Sequence, residues 1–383
     1  MRLSPRITAQ IHSPIGEAFA MVQRRGGKMD LLDLSQAAPS HPCAPEVADH
    51  IARVAASPDG GRYCPQEGLP HLREAFAADL TATGIGTVET ADVLVTAGCN
   101  QAFCLTVSAL CDPGDEVVLV VPFYFNHDMW LRLQGFVPRY VDQATAAAIE
   151  PVLGPNTRAV VVVSPANPTG HTTSPVDIEA IFDLCASRGV VLMLDETYRS
   201  FRPSDEAPHT LHQRPDWRDH LVTLHSFSKE FAIPGYRAGA VVAGPALTTE
   251  AMKLLDCVAI CAPRIGQEAA WAGLTMADEW RRQQTARVRE RQALFEAVMA
   301  ERPGGFTLQQ AGAYFGWVSA PDGAGNTAQV VEQLIVEHDV LTIPGTAFTP
   351  TDQRMVRMSF ANLAESQIAE LGQRLAGFTP RAG

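Results

Sequence analysis

Short apolar runs alternate with segments of helical period through the middle of the chain. The runs are rich in valine, leucine and alanine, which is the pattern of strands buried in a parallel sheet. They comprise residues 93–95, 117–121, 159–163, 190–194, 221–224 and 240–243. We therefore expect six buried strands within this region.

The segments between these runs have the spacing of amphipathic helices. Apolar residues from Leu69 to Leu80 are three and four positions apart, and Gly84 stands where such a helix would end. Residues 175–188 repeat the pattern, with Ser174 as the expected N-cap and Gly189 as the expected stop. This alternation predicts an α/β domain with a mostly parallel sheet sandwiched by helices, and a ligand at the carboxyl ends of the strands.

The C-terminal part of the chain has a different pattern. A long, charge-rich helix is expected from Ala269 to about Met299, followed by short strands and helices of a smaller α+β domain. The strands expected there are residues 314–318, 340–343 and 356–360. The expected units are an N-terminal segment 1–45 that packs with the small domain, a large domain 46–268 and a small domain 269–383.

The composition and net charge of the chain favour a small molecule as its binding partner. Of 383 residues, 46% are hydrophobic and 19% are charged, so the chain has apolar material for a large core and is not of the disordered type. The 30 lysines and arginines are outnumbered by 42 aspartates and glutamates, for a net charge of −12. Because a negative protein does not attract nucleic acid or anionic membranes, we expect a small-molecule partner instead.

The cysteines and the N-terminus indicate a cytoplasmic protein. The 8 cysteines form no CxxC pair and have no histidine pair at zinc-finger spacing, so we expect reduced structural thiols and no metal site. Polar residues and prolines interrupt the first twenty positions, which lack the continuous apolar stretch of a signal peptide.

A lysine follows one of the expected buried strands. The sequence Ser226-Phe227-Ser228-Lys229 comes directly after the run 221–224. A lysine in an apolar site has a lowered pKa and becomes an amine nucleophile that forms a Schiff base with an aldehyde. The small hydroxyls before it, and Arg237 eight residues after it, would suit a phosphate group.

Two further polar turns follow expected strands. Asp195 comes after the run 190–194, and Tyr198 lies three residues beyond it. After the run 159–163, two prolines flank Asn167 in a rigid turn that fixes the direction of its amide. Each turn alone is ordinary, but the three together indicate one site at the carboxyl edge of the sheet.

With these motifs the chain resembles the fold type I pyridoxal-phosphate enzymes, and among them the class I/II aminotransferases similar to aspartate aminotransferase. The resemblance extends from Leu34 to Phe360. It is carried by residues 34–39, Tyr63 with Gly68-Leu69 and Leu72-Arg73, Thr96–Ala102, Asn167-Pro168-Thr169-Gly170, Asp195-Glu196-Thr197-Tyr198, Ser226-Phe227-Ser228-Lys229 and Arg357-Met358-Ser359-Phe360.

The resemblance implies roles around the ring of pyridoxal 5′-phosphate. Lys229 would hold the cofactor as a Schiff base and then move the substrate α-proton as general base and acid. Asp195 would pair with the pyridinium nitrogen. Tyr198 and Asn167 would hydrogen-bond the 3′-oxygen, and Tyr124 would stack on the ring face.

It also implies a phosphate cup and a substrate anchor. Backbone amides of Cys99 and Asn100 at a helix N-terminus would bind the phosphate, with Ser226 and Arg237, and Tyr63 would reach in from the second subunit of a homodimer. Arg357 would bind the α-carboxylate of the amino acid or 2-oxo acid, helped by Asn167 and the backbone near Ala37.

Several alternatives remain open. On the same scaffold, a β-lyase of the C–S lyase type, a racemase or a decarboxylase would keep the same lysine, aspartate and phosphate cup. Arg264 could bind a substrate carboxylate or the phosphate, or form a surface ion pair. An effector-binding module of a regulator and a metal hydrolase are disfavoured, because we see neither room for a DNA-binding domain nor a histidine ligand motif.

Overall fold

The computed structural model describes residues 1–25 and 29–381. Thirteen strands are present in this part of the chain: β1 Leu32–Asp33, β2 Val93–Thr96, β3 Glu116–Val120, β4 Val137–Val141, β5 Thr157–Val163, β6 Val191–Asp195, β7 Leu221–Ser226, β8 Gly239–Val242, β9 Thr307–Gly312, β10 Phe315–Ser319, β11 Val340–Leu341, β12 Ile343–Pro344 and β13 Met355–Ser359. The α-helices described are α1 Pro5–Thr8, α2 Pro14–Val22, α3 Pro45–Ala55, α4 Pro70–Ala82, α5 Cys99–Leu110, α6 Phe125–Gln134, α7 Ala146–Ile149, α8 Pro175–Arg188, α9 Trp217–His220, α10 Phe227–Glu230, α11 Pro245–Ala259, α12 Arg264–Met276, α13 Asp278–Ala300, α14 Thr327–His338 and α15 Glu365–Ala376.

The larger sheet has seven strands in the order β2-β8-β7-β6-β5-β3-β4. Strand β8 runs antiparallel to both of its neighbours, and the other pairs are parallel. All six residues of β7 are buried, as expected for a central strand covered on both faces. The expected α/β fold with a mostly parallel sheet is confirmed.

Helix α8 shows how local sequence sets an element's ends. The hydroxyl of Ser174 accepts a hydrogen bond from the backbone N–H of Asp177, and Pro175 occupies the first turn, where a missing N–H costs nothing. The helix ends at Gly189, whose φ of 64° is left-handed. Both expected boundary residues are confirmed.

A second unit has its own sheet and core. Its four strands are antiparallel in the order β12-β13-β10-β9, and they pack with α13, α14 and α15. Strand β1 of the N-terminal segment pairs with β11, which ties that segment to this unit. Helix α12 spans the expected domain boundary at 268/269, and the division into three units stays a prediction.

Two expected elements of the C-terminal part were wrong in detail. The single helix expected from Ala269 to about Met299 is two helices, because the buried Ala277 leaves helical geometry at φ −119° and ψ 27°. Helix α12 packs on α3 and α4, whereas α13 packs on α15 and β9, so the chain must turn between the two cores. The expected strand 340–343 is also divided between β11 and β12, which belong to different sheets.

Backbone contacts join the turn after β5 to the second unit. A Cβ added to Gly170 would lie 2.2 Å from the carbonyl oxygen of Gly312, and one added to Gly312 would lie 2.3 Å from the carbonyl oxygen of Gly170. Beside this contact, the side chains of His171 and Gln310 are hydrogen-bonded at 2.8 Å. Among the residues described, no helix is long and apolar enough to span a bilayer.

Candidate active site

A cavity of about 220 Å³ lies at the carboxyl edge of the large sheet, where the second unit meets it. Side chains from the ends of β5, β6 and β7 and from β13 line it, together with the N-terminal segment. Eleven sequence-predicted residues line this cavity: Ala37, Cys99, Asn100, Tyr124, Asn167, Asp195, Tyr198, Ser226, Lys229, Arg237 and Arg357. Tyr63 does not line it, and its side chain is 75% exposed.

Lys229 lies on the short helix α10, which begins at the end of β7. The hydroxyl of Ser226 caps this helix by accepting from the N–H of Ser228 at 3.2 Å. The Nζ of Lys229 donates to the carbonyl oxygen of Ala37 at 2.5 Å. Burial, together with the positive charges of Arg237 and Arg357, lowers the pKa of Lys229 to about 8, so a neutral amine is accessible near neutral pH.

Asp195 is the last residue of β6 and is 3% exposed. Its Oδ1 accepts from the backbone N–H of Thr197 at 2.9 Å and from the Cys99 thiol at 3.7 Å, and its Oδ2 lies 3.4 Å from Nε2 of His127. Burial would raise the pKa of this carboxyl, but His127 and the hydrogen bonds from Thr197 lower it below its usual value. Asp195 is therefore an anion facing the cavity.

The sequence analysis missed His127. It lies on α6 and is 2% exposed, and its ring stacks on Phe103 with the centroids 4.0 Å apart. Because stacking fixes the ring, Nε2 is held towards Asp195. The available signal was its position three residues after Tyr124, since residues three apart share a helix face.

Two tyrosines, the half-buried Tyr124 and the buried Tyr198, line the same cavity as Asp195. The hydroxyl of Tyr124 donates to Oδ1 of Asn100 at 3.2 Å and accepts from Asn126 at 2.9 Å. The ring of Tyr198 packs against Phe315 with the centroids 5.1 Å apart. Burial raises the pKa of both phenols, so each remains a hydrogen-bond donor.

Gly98 and Arg237 form a cradle at the N-terminus of α5. Gly98 has a φ of 88°, and a Cβ on it would lie 2.4 Å from Nη2 of Arg237, so only glycine leaves this space free. The amides of Cys99 and Asn100 open the helix, where unpaired N–H groups favour an anion. Ser226 and Ser228 also line the cavity. This donor set fits a phosphate group.

Arg357 on β13 is 1% exposed. Its Nη1 donates to Oδ1 of Asn167 at 3.0 Å, its Nη2 donates to the carbonyl of Ser35, and its buried Nε has no partner among the described residues. No described carboxylate forms an ion pair with it, and burial lowers its pKa to about 10. An unneutralised, buried guanidinium with a free donor fits a ligand carboxylate.

Arg264 lies next to the Tyr63 loop. Its Nη2 donates to the carbonyl of Tyr63 at 3.1 Å, and its Nε donates to the carbonyl of Arg62 at 3.3 Å. Neither the cavity nor an ion pair includes Arg264 among the described residues. It fixes the backbone beside Tyr63 in its own chain.

Residues 29–375 match the family model for aminotransferases of class I and II. The chain belongs to this family. An aromatic aminotransferase of Arabidopsis thaliana is 30% identical over 86% of this chain and 85% of its own, and an aspartate/prephenate aminotransferase of Thermus thermophilus is 29% identical over 95% of each. A solved structure of a mutant aspartate aminotransferase from Thermus thermophilus superposes with a TM-score of 0.88 and 25% identity, covering 98% of this chain and 99% of that one.

Membership confirms the resemblance found in the sequence. The protein is a pyridoxal-phosphate-dependent aminotransferase, a transferase of nitrogenous groups acting in amino-acid metabolism. The residues present fit this cofactor, since the half-buried amine of Lys229, the buried anion of Asp195 and the anion-binding donors beside Arg237 surround one cavity.

Proposed function

We propose that this aminotransferase moves an amino group between an L-amino acid and a 2-oxo acid with Lys229 as the covalent and proton-transferring residue. The observation that carries this proposal is the state of Lys229. Its amine is half-buried and lacks an ion pair among the described residues, and its pKa is about 8, while the anionic Asp195 lines the same cavity.

Residues of this chain would hold the cofactor from several sides. Bound pyridoxal phosphate supplies an aldehyde that condenses with amines and a ring that withdraws electrons from the substrate α-carbon. Asp195, kept anionic, holds the ring nitrogen protonated, and His127 fixes the carboxylate. Tyr198 and Asn167 donate to the ring oxygen, and Tyr124 covers a ring face. The phosphate binds to the amides of Cys99 and Asn100 and to Ser226 and Arg237.

The substrate is oriented by Arg357 and Asn167. The guanidinium binds the α-carboxylate through two charge-assisted hydrogen bonds, helped by the backbone near Ala37. Lys229, in its neutral form, takes the proton from the substrate α-carbon and returns it at the cofactor carbon.

We infer that the enzyme acts in the cytoplasm as a homodimer, in which each active site includes Tyr63 from the other protomer. The exposed side chain of Tyr63 lies outside the cavity of its own chain, and Arg264 fixes the adjacent backbone, so the loop is presented rigidly to a second copy. In the dimer, Tyr63 of one protomer donates to the phosphate bound in its partner. The large domain, residues 46–268, binds the cofactor. The small domain, residues 269–383, closes over the substrate, and the N-terminal segment, residues 1–45, packs with the small domain.

Reduction with borohydride tests the proposal. The purified protein with bound cofactor is treated with borohydride, digested and mapped, and we expect the label on the peptide that contains Lys229. Lys253 on α11 has an exposed side chain and provides the control, since Lys253→Arg should leave labelling unchanged. A label on another peptide contradicts the proposal. If turnover releases ammonia instead of converting an added 2-oxo acid, the lyase alternative replaces transamination.

A further inference from the structure

Part of the cavity wall is apolar. Ile15 on α2 contributes a half-buried aliphatic side chain, and Phe125 at the start of α6 contributes a ring that is 4% exposed. Ala37 and Ala38 add two small side chains. None of the roles proposed for cofactor binding uses the side chain of Ile15, Phe125 or Ala38.

This apolar wall begins next to the carboxylate anchor. The ring of Phe348 lies under Arg357, 4.9 Å from its Cζ, and Phe125 packs edge-on against Phe348 with the centroids 5.7 Å apart. The side chain and carboxylate of an amino acid leave the same α-carbon. A substrate whose carboxylate binds Arg357 therefore presents its side chain close to this wall.

The cations of the cavity already have partners in the proposed reaction. Among the described residues, Lys229, Arg237 and Arg357 are the positively charged side chains that line it. The other polar groups beside the apolar wall, Gln36 and Asn100, are neutral. An ionised side-chain carboxylate in this space would lose its hydration without gaining a counter-charge, which is costly.

We propose that the preferred amino donor has a large uncharged side chain, aromatic or aliphatic, which packs against Ile15 and Phe125. This inference rests on the proposed function, since it places the α-carboxylate on Arg357. Shape and apolar contact select the side chain, and a second carboxylate is rejected because, among the described residues that line the cavity, no cation is left to pair with it.

Unreactive carboxylates test the preference without turnover. The enzyme with bound cofactor is titrated with 3-phenylpropionate and with succinate, and binding is followed by the visible absorbance of the cofactor. We expect at least tenfold tighter binding of 3-phenylpropionate, within the range that apolar pockets achieve. Tighter binding of succinate overturns the inference.

Variants at Ile15 locate the selecting wall. Ile15→Lys supplies the missing cation and should invert the preference, whereas Ile11→Lys, the same change at an exposed isoleucine outside the cavity, should leave it unchanged. Ile15→Ala adds no charge to the core and should lower kcat/KM for phenylalanine roughly tenfold while sparing alanine. Unchanged selectivity in both Ile15 variants contradicts the assignment of this wall.

A panel of donors separates this inference from the proposed function. Single-turnover absorbance with phenylalanine, leucine, aspartate and glutamate should show the fastest conversion of the cofactor with the first two. Fastest conversion with aspartate or glutamate, abolished by Arg264→Met, would mean that a cation of the second subunit binds the side-chain carboxylate. The inference would then be wrong, although the enzyme would still be a transaminase. If no amino acid converts the cofactor, the proposed function itself fails.

Discussion

Lys229 and Glu230 are neighbours in the chain, but their charges have opposite surroundings. The amine of Lys229 lines the cavity, and its described hydrogen-bond partner is a neutral carbonyl. The carboxylate of Glu230 is buried on the other side, where it accepts hydrogen bonds from Arg281 at 2.8 Å and from Arg199 at 3.2 Å. Asp79 binds the same two arginines, so Glu230 belongs to a network of four charges.

The adjacent pair Asp195 and Glu196 repeats this contrast. Asp195 lines the cavity, whereas Glu196 lies among imidazoles, 3.6 Å from Nε2 of His209 and 3.8 Å from Nε2 of His225. Burial would raise the pKa of Glu196, but His209 and the other imidazoles lower it to about 2. In both pairs the first residue lines the cavity, where a ligand can reach it, and the second contacts side chains on the far side that fix the same turn.

The largest expected effect on stability comes from removing the ion pairs of Glu230, on the side of the turn that faces away from the cavity. Glu230→Gln leaves Arg199 with Asp79 and leaves Arg281 with Asp79 and the more exposed Asp278. Removing one partner of a buried pair costs about 3 kcal/mol of unfolding free energy. Urea denaturation of the cofactor-free protein measures this loss. The kcat of the folded, cofactor-loaded variant should change little, because Glu230 does not line the cavity.

Replacing Lys229, the neighbour that lines the cavity, provides the matched comparison with Glu230→Gln. Lys229→Met removes an amine whose pKa is depressed to about 8 because burial opposes its charge. The unfolding free energy of this variant should not fall, and at pH 7 it should rise by up to about 3 kcal/mol, since each pKa unit is worth about 1.4 kcal/mol. A loss of stability equal to that of Glu230→Gln would show that the two sides do not differ.

The next largest effect is expected from mild acid, which should lower the free energy of unfolding through the buried histidines near Glu196. Burial lowers the pKa of His212 to about 3 and that of His225 to about 4, both below the 6.5 of a free imidazole. Above pH 6.5 both rings are neutral in either state. As the pH falls from 6.5 towards 4, the unfolded chain binds protons first, so stability falls by up to about 1.4 kcal/mol per pH unit for each ring.

The pH dependence of thermal unfolding in His212→Phe checks this expectation. The ring of His212 packs against Trp217, with centroids 4.6 Å apart, and both of its nitrogens are buried without described partners, so phenylalanine suits the site. The variant should lose less stability than the wild type between pH 6.5 and pH 5. An identical slope would mean that His212 is not the buried neutral base.

The smallest effect concerns the pKa of Lys229. Arg237 and Arg357 lower it through their charges, after burial. Arg357→Met should therefore raise the pKa slightly, and Arg357→Lys, which retains the charge, should not. The measurement is the pH dependence of the rate at which added cofactor attaches to the cofactor-free protein. A downward shift in Arg357→Met would contradict the electrostatic explanation.

The buried strands of the large sheet, and the polar residues that follow them, were the features best predicted from the sequence. Apolar runs long enough to be buried on both faces located β2, β3, β5, β6, β7 and β8, and the polar residues following β5, β6 and β7 do line one cavity. Strand β4 was not found, because it lies at the sheet edge, contains Pro138 and alternates exposed and half-buried positions. A buried-strand pattern does not describe such an edge.

What depends on tertiary contact was not predictable. The local signal for a second helix after Ala277 is weak: two acidic residues, Asp278 and Glu279, in its first turn. The turn itself depends on the packing of α12 and α13 against different cores. The partnership of His127 with Asp195 joins residues far apart in the chain through a strand end and a helix face. The apolar lining from Ile15 depended on how α2 packs beside β12.

The backbone contact of Gly170 with Gly312 constrains recombination between relatives of this enzyme. A chimera that takes the turn after β5 from one parent and β9 from another must carry glycine on both sides, because a methyl group on either side would overlap a carbonyl. The turn also carries Asn167, which binds Arg357, so a misfit would separate the carboxylate anchor from its partner. More than a hundred residues separate the two positions, so we expect a crossover between them to give a folded chimera only when both parents have glycine at both positions.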